Sequence, residues 1–173
     1  MKQKLILFFV IVCSFQVYGQ DLKFFNKRPK KNLFLDFAGN GGLISINHEK
    51  IHLISFKLMR VYKIGFGYTQ DYSLKDPQNY FISIPTNITL CFGKRRLLFE
   101  LGLGATIFLN VNDSFYEFSY YPIVGYRFQP FKANKLFFKA AISLPQNLGS
   151  SNYLIYSSKI LFIPVGLSIG KSF

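Results

Sequence analysis

The sequence predicts an all-β fold, an antiparallel up-and-down transmembrane β-barrel of about eight strands. Three observations predict it. First, large apolar residues alternate with small ones at a period of two, most plainly at the C-terminus. There Leu161, Ile163, Val165, Leu167, Ile169 and Phe173 share one face, interrupted only by Lys171, while Phe162, Pro164, Gly166, Ser168, Gly170 and Ser172 share the other. A period of two belongs to a strand with two different environments. The less apolar face holds Gly, Ser and Thr rather than the Lys, Glu and Asp of a wet surface. It suits a narrow enclosed interior, which leaves the large groups to face outward into lipid. Second, 50% of the residues are hydrophobic and 18% aromatic, with 21 Phe, 11 Tyr and no Trp, while 17% are charged, against about 25% in ordinary soluble domains. Third, no run reaches the ~18 apolar residues of a spanning helix, so any crossing falls to strands.

In chain order, residues 1–19 read as a secretory signal peptide: Lys2 and Lys4 give the basic start, Leu5 to Val12 the apolar centre, and Val17-Tyr18-Gly19 the cleavage site before Gln20. The bulk of Val12 argues against lipidation at Cys13. Residues 20–32 are a basic, flexible lead-in, and residues 33–173 form the barrel domain. Residues 33–37 alternate, but the phase flips after Gly39-Asn40-Gly41-Gly42, so that Ile44 and Ile46 then point outward; a bulge or a turn would produce this. Residues 53–69 hold one phase through Ile54, Phe56, Leu58, Tyr62, Ile64, Phe66 and Tyr68. That is longer than the ~9–11 residues needed to cross, and Arg60 interrupts it. Either one strand protrudes or a turn sits near Arg60. Barrels of this kind normally have an even number of strands, which places an additional strand within residues 33–70.

The second half alternates cleanly. Residues 80–92 put Ile82, Ile84, Ile88, Leu90 and Phe92 on the outer face, and residues 97–109 put Leu97, Phe99, Leu101, Leu103, Ala105, Ile107 and Leu109 there. Residues 115–129 turn Tyr116, Phe118, Tyr120, Val124, Tyr126 and Phe128 outward, with Glu117, Ser119, Gly125, Arg127 and Gln129 inward. Residues 136–145 turn out Leu136, Phe138, Ala140, Ile142 and Leu144, and the final strand runs from 161 to Phe173. Turns at 93–96 and 130–135 are short, whereas the connections at 71–79 and 146–158 are longer, as expected of periplasmic turns and outer loops, although the connection at 110–114 is short too. Tyr68, Tyr72, Tyr80, Tyr116, Tyr120, Tyr121, Tyr153 and Tyr156 gather near the longer loops, and Phe92, Phe128, Phe131, Phe137 and Phe173 near the short turns. These positions suit two aromatic girdles, with ordinary core aromatics as the plainer alternative.

The formal charge is +13, or +11 without Lys2 and Lys4. The cations fall in Lys27-Arg28-Pro29-Lys30-Lys31, in Lys94-Arg95-Arg96, and at Lys132 and Lys135. They lie in the lead-in and in turns, with no basic helix or RNA-binding aromatic motif beside them, which argues against nucleic-acid binding. Cleavage leaves Cys91 as the single cysteine, so no internal disulfide is expected, and its place is space-filling beside Thr89 and Asn87.

Antiparallel pairing places the inward charges. With residues 97–109 and 116–129 paired about a loop near residue 112, Glu100 falls diagonal to Arg127. With 116–129 and 136–145 paired about residue 133, Arg127 falls opposite Lys139. Glu100, Arg127 and Lys139 are therefore expected to meet inside the barrel as a structural ion cluster, with a proton path or gated pore as the alternative. An eight-stranded barrel has room for little else, and a buried carboxylate needs a partner. Asp36, Lys57, Lys63 and Glu117 are candidates to extend the network. His48 and His52, with Glu49 between them, lack the further ligands a metal site needs. No catalytic triad, cofactor motif or phosphate loop is present, so no enzymatic activity and no cofactor are expected.

At Gly39-Asn40-Gly41-Gly42-Leu43-Ile44-Ser45-Ile46-Asn47-His48-Glu49, at Leu98-Phe99-Glu100-Leu101-Gly102-Leu103-Gly104 and at Gly125-Tyr126-Arg127-Phe128-Gln129-Pro130 the chain resembles the small, porin-like outer-membrane β-barrel proteins of the Bacteroidota. The resemblance spans residues 33–173. It implies an integral outer-membrane protein, inserted by the assembly machinery that reads a terminal strand such as the one ending in Phe173, with lipid as its principal partner. A monomer with a structural, anchoring or narrow-transport role is the expectation. The alternatives are a secreted lipocalin-like barrel that binds an apolar ligand, and a membrane hydrolase, for which the loops lack a histidine base.

Overall fold

Most strands run where the period-two pattern is unbroken and stop where Gly, Asn, Pro or clustered charge interrupts it, the turn after Ser55 being the exception. The computed structural model describes residues 28–55, 57–70, 80–93, 95–112, 116–144, 146–147 and 163–173. The expected signal peptide, most of the lead-in and the connections at 71–79 and 148–162 lie outside the described residues. The strands are β1 (Lys31–Phe37), β2 (Ile44–Ser55), β3 (Leu58–Gln70), β4 (Tyr80–Phe92), β5 (Leu97–Asn110), β6 (Tyr116–Phe128), β7 (Lys135–Ser143), β8 (Gln146–Asn147) and β9 (Val165–Ser172). From β1 to β7 each strand pairs antiparallel with the next. β9 closes the ring by pairing with both β7 and β1. This is a closed up-and-down barrel of eight strands, with the two-residue β8 continuing the line of β7 beside β6. Among the described residues each of the eight wall strands is paired on both sides, and only the short β8 is paired on one.

Three strands occupy residues 31–70, and the turn that separates β2 from β3 lies between Ser55 and Leu58. The unbroken phase of residues 53–69 is thus two strands: Ile54 and Ile64 both face outward because the short turn preserves the even-numbered outer face. Arg60 lies three positions into β3, exposed, with its guanidinium 5.3 Å from the Tyr62 ring centroid. The phase flip between β1 and β2 comes from a 3-10 turn at Gly39–Gly41. Ala38, Gly39 and Gly42 all have positive φ there. β1 starts at Lys31 rather than at residue 33, so Asn32 already points into the lumen. β9 begins at Val165, later than the expected 161.

The two faces differ throughout. Leu33, Phe66, Ile88, Leu97, Leu103, Tyr126, Leu136 and Leu167 are exposed on the outside, whereas Ser45, Asn47, Lys63, Ser83, Thr106, Arg127 and Ser168 are buried inside. The girdle assignment changes at two positions. Phe137 and Tyr121 are fully buried and point into the lumen, because each sits one residue out of phase with the outer face of its strand. Tyr68, Tyr80 and Tyr120 near the long-connection end, and Phe92 and Phe173 near the short-turn end, are exposed on the outside; the side chains of Tyr72, Tyr116, Tyr153 and Tyr156 lie outside the described residues.

At the short-turn end the lumen is apolar: Ile51, Met59, Val61, Cys91 and Leu98 pack together, with Leu53 beside them. Cys91 therefore fills an apolar plug rather than a polar pocket. Arg28 lies across this mouth. It donates to Met59 Sδ at 3.8 Å and to the Arg95 carbonyl at 3.4 Å, and its guanidinium stands 4.6 Å from the Phe131 ring centroid. Burial pulls its guanidinium below its usual pKa.

Candidate functional site

The lumen holds the chemistry, in two layers of charge beneath a backbone plug. Inward phase delivers each side chain: Glu49 from β2, Glu100 from β5, Arg127 from β6 and Lys139 from β7. The pairing β5–β6 sets Leu98 opposite Arg127, which leaves Glu100 diagonal to it, and β6–β7 sets Arg127 opposite Lys139. Arg127 Nε donates to Glu100 at 2.8 Å and its Nη2 donates to Glu49 at 2.9 Å. Lys139 Nζ donates to Glu100 at 2.8 Å and stands 3.9 Å from Glu49. Thr89 adds a hydroxyl donor to Glu100 at 2.7 Å, and Asn32 an amide donor to Glu49 at 3.0 Å. The Phe137 ring covers the guanidinium, 5.2 Å from centroid to carbon. Arg127, Glu100 and Glu49 have no exposed surface.

The structure brings Glu100, Arg127 and Lys139 together, and it adds Glu49 as the fourth member. Sequence reasoning placed Glu49 beside two histidines and went no further. The available signal was phase: once Ile44 and Ile46 face outward, Glu49 must face inward. His48 and His52 point the other way, toward the outside, with His52 edge-on to Tyr62 at 5.6 Å. The three side chains do not converge, and among the described residues no group of three His, Cys, Asp or Glu can hold a metal ion.

A second layer lies nearer the long-connection end. Lys63 Nζ donates to Asp36 at 3.0 Å, Asn47 donates to the same carboxylate at 3.1 Å, and the Ser168 hydroxyl donates to its other oxygen. Of the further charges weighed from sequence, Asp36 and Lys63 form this layer and Glu117 is half-buried in the inward phase of β6. Lys57 is not in the lumen; it sits in the β2–β3 turn, where its carbonyl accepts from the Gly93 amide at 2.8 Å. Within the two layers the charges balance, with Asp36, Glu49 and Glu100 against Lys63, Arg127 and Lys139.

Above the second layer the Gly39–Gly41 turn folds into the barrel. Its Asn40 carbonyl accepts from Thr106 at 2.8 Å, its Asn40 side chain accepts from Ser143 at 2.5 Å, and its Gly41 carbonyl accepts from Ser83 at 2.5 Å. One turn is thereby tied to β4, β5 and β7. Sequence reasoning expected a bend or a close backbone approach here; the approach is real, since a Cβ added at Gly39 would stand 2.9 Å from the Gly166 Cα. Only small side chains on the surrounding wall, among them Ser45, Ser83, Ser143 and Ser168, leave room for it.

Such an arrangement can brace and seal. Each carboxylate is matched by cations and donors, and backbone or side chain fills the lumen at three levels. No known family model, no curated protein and no solved structure matches the chain.

Proposed function

We propose that the chain is an integral outer-membrane β-barrel whose sealed lumen gives it an anchoring or structural role rather than a conducting one. One observation carries the reading: among the described residues the outer wall is built mainly of large apolar side chains, whereas every carboxylate side chain and most buried polar groups face inward, above an apolar plug at the short-turn end. Water would penalise that outer wall, while hydrocarbon accepts it; the charges of the two lumen layers, in turn, are paired with one another. A secreted lipocalin-like barrel needs the reverse, an apolar cavity within a wet exterior, and its ligand space is here taken up by Glu49, Glu100, Arg127, Lys139 and the Gly39–Gly41 turn. Insertion by the outer-membrane assembly machinery through the strand ending in Phe173, a monomeric state and kinship with the small barrels of the Bacteroidota belong to the same reading. The test is folding into phospholipid vesicles followed by electrophoresis without boiling. A compact, faster-migrating species that reverts on boiling, together with recovery in the outer-membrane fraction, is expected. A protein that stays in the periplasmic supernatant overturns the reading.

A further inference from the structure

Among the described residues every carboxylate side chain, Asp36, Glu49, Glu100 and Glu117, lies in the lumen-facing phase of its strand. Among the described residues the outer wall carries cations without matching acidic side chains. They are concentrated at the short-turn end, and on three adjacent strands they form a row. Lys31 on β1 is directly opposite Lys50 on β2, and its carbonyl and amide pair with Phe173 on the other side, which leaves it diagonal to Lys171 on β9. Lys135 stands at the start of β7, opposite Ser172. All four are exposed, and none is within ion-pair distance of a described carboxylate. Like charges directly opposite one another in a sheet repel, so Lys31 and Lys50 hold a position that costs stability unless an anion lies against them.

Immediately beside this row, toward the middle of the barrel, the outer wall is indented. Leu33, Leu35, Ile46, Leu136 and Ile169 line a groove of about 490 Å³, with Lys135 and Lys171 at its end. A shallow apolar groove across β2, β1, β9 and β7, with cations where the wall meets the headgroups, matches one chemistry: an acyl chain joined to a negatively charged headgroup. We propose that the β2–β1–β9–β7 face binds an anionic phospholipid, its acyl chain in the groove and its phosphate among Lys31, Lys50 and Lys171. The site rests on the membrane reading given above. It also assigns a purpose to Lys171, the one break in an otherwise apolar strand face.

The experiment compares the full protein with Lys31→Gln/Lys50→Gln/Lys171→Gln after folding into vesicles of mixed phosphatidylglycerol and phosphatidylcholine. Both are extracted into neutral detergent, and retained lipid is identified by native mass spectrometry. A surface lysine near anionic lipid contributes about fivefold in affinity, so three contribute on the order of 100-fold. The native protein is expected to retain phosphatidylglycerol in preference to phosphatidylcholine, and the variant to lose that preference. A second measurement needs no variant: washing with ~1 M salt, where screening acts within about 3 Å, should release the lipid from the native protein. Equal retention of the two lipids by the native protein, or unchanged preference in a folded variant, overturns the site while leaving the barrel reading intact. Failure of the native protein to fold into any vesicle overturns the barrel reading and the site with it.

Discussion

Arg127 joins carboxylates from β2 and β5, strands that do not neighbour one another, through two different nitrogens. It therefore ties opposite sides of the wall across the lumen. Removing it leaves Glu49 and Glu100 buried with Lys139 alone between them. Arg127→Met is expected to cost about 3–5 kcal/mol, read as a lowered urea midpoint of the refolded protein in detergent. Arg127→Lys should recover little of this, because a single ammonium cannot reproduce the planar fork that reaches both acids. The cluster was largely legible in sequence: alternation gave the inward phase of Glu100, Arg127 and Lys139, and the turns about residues 112 and 133 gave their register. The inward phase of Glu49 was legible too, from the outward Ile44 and Ile46 of the same strand; its place in the cluster was not, because the register of β2 depends on two connections whose geometry the sequence leaves open, the flip at Gly39–Gly42 and the turn after Ser55. The second of these joins its strands without the Asn-Gly or Asp-Gly pair that marks a tight hairpin. Phe137 and Tyr121 show a related limit, since aromatic residues near a strand end look like girdle members until their phase is respected.

Among elements, the Gly39–Gly41 turn and the middle of β5 make the sharpest contrast. The turn sits inside the barrel with its carbonyls bonded to Ser83 and Thr106. Its exit residue Gly42 has φ 91° and faces the Thr69 side chain at close range. Gly42→Ala should cost about 1–3 kcal/mol through the strained backbone alone, again measured by urea unfolding. No local rule says whether such a connection folds inward or outward. That depends on the space left by small residues on other strands, which is why the sequence located the bend and not the plug. β5 behaves oppositely, and its pattern alone predicted the strand to within a residue. Leu103, at its middle, is 69% exposed. Leu103→Arg is expected to destabilise the protein by about 2–4 kcal/mol in a bilayer; a soluble barrel would tolerate a cation at so exposed a position with almost no change in the same unfolding experiment.

At the scale of the whole molecule, two charged layers and an inserted turn occupy the lumen of the eight-stranded barrel, and the proposed sealed lumen follows from that filling. Planar bilayers containing the native protein should show no unitary current steps. Asn40→Ala should be equally silent, because loosening the plug leaves the Glu49, Glu100, Arg127 and Lys139 layer in place; steps of either protein would show that the lumen opens. All of this depends on which wall meets hydrocarbon, and the absence of tryptophan from the chain allows that to be read directly. Leu103→Trp and Leu167→Trp, folded singly into phosphatidylcholine vesicles, supply one fluorophore each on the outer wall. Strong quenching by lipids brominated along the acyl chain, with little quenching by aqueous iodide, is the predicted result. Quenching by iodide at both positions, with brominated lipid ineffective, would contradict it.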